Sequence, residues 1–135
     1  MRHSDKQSAV VLNLDNTLPR QREVDALTVA RPSDFSASIV RSMRRRGFQI
    51  IILSSYPETM RDFVEDWLVA NGISYDRLLM NADMSEDSDE DQESAFICGA
   101  LFDRHVRDYY CVLFAIEGDP VIAATVWAER GIHCL

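Results

Sequence analysis

The sequence predicts a doubly wound parallel α/β sheet of about five strands in three layers, and three observations carry that reading. Apolar stretches of strand length recur at residues 10–12, 48–53, 77–80, 110–116 and 132–135, and in the first two the apolar residues run on without alternation, as in strands buried on both faces of a parallel sheet. Segments with helical spacing separate these stretches, which gives the β-α alternation of right-handed crossovers. Polar side chains then gather where the strands end: Asn13, Asp15 and Thr17 after the first, Ser54 after the second, Glu117 and Asp119 after the fourth. In an open α/β sheet the carboxyl ends of the strands are where ligands bind.

At 135 residues, 47% of them hydrophobic, the chain reads as one domain over residues 1–135 with enough apolar content for a core. No apolar run approaches the roughly 20 residues that span a bilayer, and the first residues lack the apolar region of a signal peptide, so a cytoplasmic location without a membrane role is expected. Cys98, Cys111 and Cys134 are odd in number and scattered among apolar neighbours, which points to reduced, buried thiols. The formal charge is −8, and Lys6 is the only lysine among 14 basic residues. That balance argues against nucleic-acid binding, which depends on neutralising phosphates. Arg41, Arg44, Arg45 and Arg46 cluster just before Gly47, where a helix would end and where they complement its dipole.

Residues 19–31 read as a connection with little periodicity, too short to hold a large cap domain. Ser33 or Asp34 can cap a helix to about Arg46, burying Phe35, Ile39, Val40 and Met43, with Gly47 as its stop. After the second strand Pro57 suits the first turn of a helix that buries Met60, Phe63, Val64, Trp67 and Leu68 and ends at Asn71-Gly72. Between residues 86 and 93 stand six acids, Glu86, Asp87, Asp89, Glu90, Asp91 and Glu93, expected as a solvated loop at the rim of the site. A helix over 94–104, the fourth strand, a helix to Arg130 and a short strand after Gly131 complete the chain.

Asn13-Leu14-Asp15-Asn16-Thr17 after a buried strand resembles the first signature of the haloacid dehalogenase (HAD) superfamily, Asp-x-Asp-x-Thr, with the first Asp replaced by Asn13. Within that superfamily the chain is similar to the 3′-phosphatase domain of phage polynucleotide kinases: Trp67-Leu68, Asn71-Gly72-Ile73, the run from Tyr75 to Met80, and Trp127 with Gly131-Ile132 match in order and spacing. The resemblance implies a HAD-like (Rossmannoid) fold without a large cap. It also implies a site in which the residue at position 13 attacks phosphorus, Asp15 is the general acid and base, and Ser54 holds a phosphoryl oxygen. Asn13, Asp15, Glu117 and Asp119 are the candidate Mg²⁺ ligands.

The chemical positions depart from the family. Asn13 has no carboxylate to offer phosphorus and is a weaker Mg²⁺ ligand than Asp. Ser55-Tyr56 stand where Gly-Arg is usual, Asn81 where an Arg is usual, Gln92 and Glu93 near the place of the cationic Lys, and Glu117-Gly118-Asp119-Pro120 where Asp-Asp-Arg-Pro is usual. Phosphoryl transfer needs positioning and compensating charge. By analogy with removal of other nucleophiles, Asn13 alone costs on the order of 10⁶ in rate. The expected function is therefore that of a pseudo-phosphatase which binds a protein partner or a ligand, with weak or absent Mg²⁺. The alternatives are a divergent Mg²⁺-dependent phosphatase acting on a phosphate monoester or a nucleic-acid 3′-phosphate, and a purely structural subunit. The acidic segment is expected to repel an anionic substrate and to favour a basic protein surface.

Overall fold

Four parallel strands lie in the order β3-β2-β1-β4 in a computed structural model that describes residues 6–14, 34–82 and 90–135. The elements are β1 (Gln7–Asn13), α1 (Asp34–Arg45), β2 (Gln49–Pro57), a 3₁₀ turn (Glu58–Met60), α2 (Arg61–Ala70), β3 (Arg77–Asn81), α3 (Glu90–His105) and β4 (Tyr110–Ile116). A helical segment over residues 120–130 follows, in three short pieces: Pro120–Ile122, the π-helical Ala123–Trp127 and the 3₁₀ Ala128–Arg130. Asp15, Thr17 and the acids Glu86, Asp87 and Asp89 lie outside the described residues.

Burial on both faces follows from the apolar runs. Val10, Leu12, Ile50 and Ile52 pack on one side with Val40, Met43, Val64, Trp67 and Leu68 from α1 and α2. Ala9, Val11, Ile51 and Leu53 pack on the other with Cys98, Phe102 and Val106 of α3 and Val126 and Trp127 of the last segment. The result is three layers. Helices α1 and α2 carry the chain from β1 outward to β3, and α3 returns it across the opposite face to β4, so the order reverses between β1 and β4. In doubly wound sheets such a reversal marks the strand ends at which ligands bind.

The differences from the expected elements have local causes. The fifth strand is reduced to one parallel bridge, Ala115 with Cys134, although Ala115 N to His133 O (2.8 Å) and Leu135 N to Ala115 O (2.9 Å) still pair the chain to β4. Strand β2 runs past Leu53 to Pro57 through a register shift, and Pro57 is the extended residue ahead of the 3₁₀ turn, not a member of the helix. Helix α3 begins at Glu90, four residues earlier than expected, so that Glu90, Asp91 and Glu93 belong to the helix and not to a loop. Gly131 closes the last segment in the left-handed region (φ 72°), which suits the stop read from the sequence. Cys98 is buried while Cys111 and Cys134 are half-buried, and none of the three is in a disulfide. Burial and the Glu117 charge push the Cys134 thiol above its ordinary value.

The last segment is tied to α3 by one guanidinium. Arg130 Nε donates to Asp103 Oδ1 and a terminal nitrogen to Asp103 Oδ2, both at 2.9 Å, and the other nitrogen donates to the Val126 carbonyl at 2.9 Å. The guanidinium lies over Gly99, where an added Cβ would come within 2.8 Å of it and would require Arg130 to shift. The bidentate bond to Arg130 holds the Asp103 carboxyl below its ordinary value of 3.8. A depressed carboxylate contributes stability that is complete above the unfolded value and is lost as pH falls toward the folded one. Arg130→Met is therefore expected to cost about 1 kcal/mol at neutral pH. In urea unfolding series, its deficit against wild type should shrink as pH drops below 3.8.

Candidate functional site

One polar residue is buried at the end of each strand. Among the described residues, the buried polar and charged side chains are Asn13 (2% exposed) at the end of β1, Ser54 (0%) in the extension of β2, Asn81 (9%) at the end of β3 and Glu117 (8%) just after β4. They share the carboxyl end of the sheet because parallel strands all end on the same side. Parallel pairing sets Asn13 beside Leu53, and Leu14 N continues the ladder to Leu53 O at 3.0 Å. Ser54 and Asn13 thus sit at adjacent strand ends.

Glu117 is the one charge in this set, and donors from three parts of the chain converge on it. Asn13 Nδ2 donates to Glu117 Oε1 at 2.6 Å, across the reversal between β1 and β4. Trp127 Nε1 donates to the same oxygen at 3.0 Å, and the Asp119 backbone N–H to Glu117 Oε2 at 3.2 Å. Hydrogen bonds to an ionised acceptor are about twice as strong as neutral ones, and a buried carboxylate depends on them. Asp119 also caps the last segment, its Oδ1 accepting from Val121 N at 2.8 Å, with Pro120 at the first helical position.

Of the expected site residues, the structure thus joins Asn13 and Glu117 directly and brings Asp119 to Glu117 through its backbone. Ser54 stands at the neighbouring strand end, where its Oγ accepts from Tyr56 N at 3.1 Å. Asp15 is outside the described residues. Both Glu117 oxygens already receive donors, and among the described residues no group of three His, Cys, Asp or Glu could hold a metal ion.

Trp127 enters the sequence reading only as scaffold, and the structure adds its role as a donor to Glu117. A signal for that role does exist: a tryptophan buried in a core needs a partner for its indole N–H, and few acceptors are buried here. Its ring also packs edge-on against Phe102, centroids 5.3 Å apart. Trp127→Phe keeps an aromatic ring there but removes the donor, and should cost about 2 kcal/mol in urea unfolding with the far-ultraviolet dichroism unchanged. In a double-mutant cycle with Glu117→Gln, the two losses should fall short of additivity by about 1 kcal/mol; additive losses would mean that the bond contributes nothing.

No curated protein matches the sequence. Two solved structures share its fold, described as "Structure of Pnkp1/Rnl/Hen1 complex" (TM-score 0.81, 23% identity, 98% of this chain and 46% of that one) and "Structure of the Pnkp1/Rnl/Hen1 RNA repair complex" (TM-score 0.82, 23% identity, 100% and 43%). The chain therefore spans less than half the length of the solved chains that it matches. Among the described residues no helix is long and apolar enough to cross a membrane. The model of the polynucleotide kinase PNKP phosphatase domain matches residues 7–135, and with the HAD-like sheet and the site at its carboxyl end, the chain belongs to the PNKP phosphatase domain family of the HAD superfamily.

Proposed function

We propose that this domain keeps the fold of its family without its phosphoryl transfer, and that it acts by binding a protein partner. The observation that carries the reading is Asn13: at the position of the nucleophilic Asp stands a carboxamide, and its Nδ2 is committed to Glu117 at 2.6 Å. A carboxamide cannot form the aspartyl phosphate, and among the described residues the buried polar side chains in the carboxyl-terminal parts of β2 and β3, Ser54 and Asn81, carry no positive charge. The formal charge of −8 and the acidic stretch at residues 86–93 oppose an anionic substrate and suit a basic protein surface. Partnering accords with the solved neighbours, which are described as protein complexes.

An assay with Mg²⁺ across nucleotides, sugar phosphates and 3′-phosphorylated oligonucleotides should show no turnover above background. Restoring Asn13→Asp alone should recover little. Robust turnover that Asp15→Ala abolishes would instead establish the divergent Mg²⁺-dependent phosphatase. For binding, a partner co-purified from the native source should associate more slowly, and with a flatter salt dependence, when Asp87, Asp89, Glu90 and Asp91 are replaced by Asn or Gln. Association unaffected by all four substitutions would move the binding surface elsewhere.

A further inference from the structure

Two carboxylates brought together in a buried site repel each other and are held by a cation between them, whereas a carboxylate and a carboxamide bond directly. At the end of β1 the second arrangement is present. Asn13 Nδ2 donates to Glu117 Oε1 at 2.6 Å, a direct hydrogen bond that two carboxylates could not make. Trp127 Nε1 and the Asp119 N–H reach the carboxylate from two further directions. Every one of these donors is neutral and belongs to the chain. Glu117 is thus held by three hydrogen bonds from the chain itself.

We infer that the Asn13 carboxamide supplies Glu117 with the partner that a divalent cation would otherwise be, so that the buried carboxylate is satisfied by the chain itself and the fold does not depend on Mg²⁺. The single change from Asp to Asn at this position thus does two things: it removes the nucleophile, and it supplies the donor that the buried Glu117 requires once no ion is bound. This rests on reading Asn13 as the replacement of the family's nucleophilic Asp. It does not depend on whether a partner is bound. The reverse substitution, Asn13→Asp, should create a cation requirement that the natural chain lacks, because the introduced carboxylate and Glu117 would then face each other as two anions.

Thermal melts and calorimetry on the full chain test this, in EDTA and in millimolar Mg²⁺. Wild type should melt at the same temperature in both and show no heat of Mg²⁺ binding. Asn13→Asp should melt at least about 5 °C lower in EDTA and regain most of that loss with Mg²⁺, since a ligand that binds only the folded state raises its stability. Asn13→Ala, which removes the donor without adding a charge, should melt lower than wild type and ignore Mg²⁺. A wild type stabilised by Mg²⁺ as much as Asn13→Asp, or an Asn13→Asp protein as stable as wild type in EDTA, overturns the inference. If Asn13→Asp folds only when Mg²⁺ is added, the inference is supported. If it folds under neither condition, the wild-type calorimetry decides: a binding heat overturns the inference, and silence there and in Asn13→Ala supports it. A wild type that binds Mg²⁺ but hydrolyses nothing removes this inference and leaves the proposed function standing, whereas hydrolysis in EDTA does the reverse.

Discussion

The burial of one carboxylate, Glu117, is the constraint on which the rest of the site depends. At 8% exposure its charge has little water, and the desolvation of such a group costs several kcal/mol unless the protein returns the lost hydrogen bonds. Its donors come from the end of β1, from the turn after β4 and from the last helical segment. Meeting the needs of one side chain therefore ties together three pieces of chain, at the point where the strand order reverses. The last segment is held from its other end by Arg130 on Asp103, so the indole of Trp127 is fixed on both sides.

Strand ends beside such a reversal are where doubly wound proteins place ligands. Their chemistry here is that of one anion held by neutral donors. Phosphoryl transfer requires a nucleophilic anion and positive charge around the transferring group, and the buried residues Asn13, Ser54 and Asn81 provide neither. The proposed loss of catalysis and the inferred independence from Mg²⁺ are then two aspects of the same substitution. The carboxamide that donates to Glu117 has no nucleophilic oxygen anion with which to attack phosphorus.

Much of the architecture was legible because it rests on local patterns. Residues 10–12 and 50–53 are apolar without alternation, which in a parallel sheet means burial on both faces, and Ala9 through Leu12 and Ile50 through Leu53 are all buried. Gly72 and Gly131 mark helix ends because a left-handed residue ends a helix wherever it occurs. The misplaced boundaries arose where a tertiary effect outweighed the pattern. Strand β2 extends to Pro57 because β3 continues beside it, with Pro57 opposite Asn81, and the chain after Gly131 meets β4 at a single bridge.

By itself the sequence determined the fold class, the family resemblance, and which residues would stand at the strand ends, since strand order in the chain and the side-chain types at each terminus are local properties. Which of those residues touch was decided by the tertiary structure alone. Asn13 and Glu117 are 104 positions apart, and their bond exists because β1 and β4 are neighbours in the sheet and end in register. Trp127 reaches the same oxygen only because α3 and the last segment pack on the face that brings its indole over the strand ends. Hydrogen-bond partners across a sheet depend on strand order and on the layer in which each helix lies, and neither is written in the residues that form the bond.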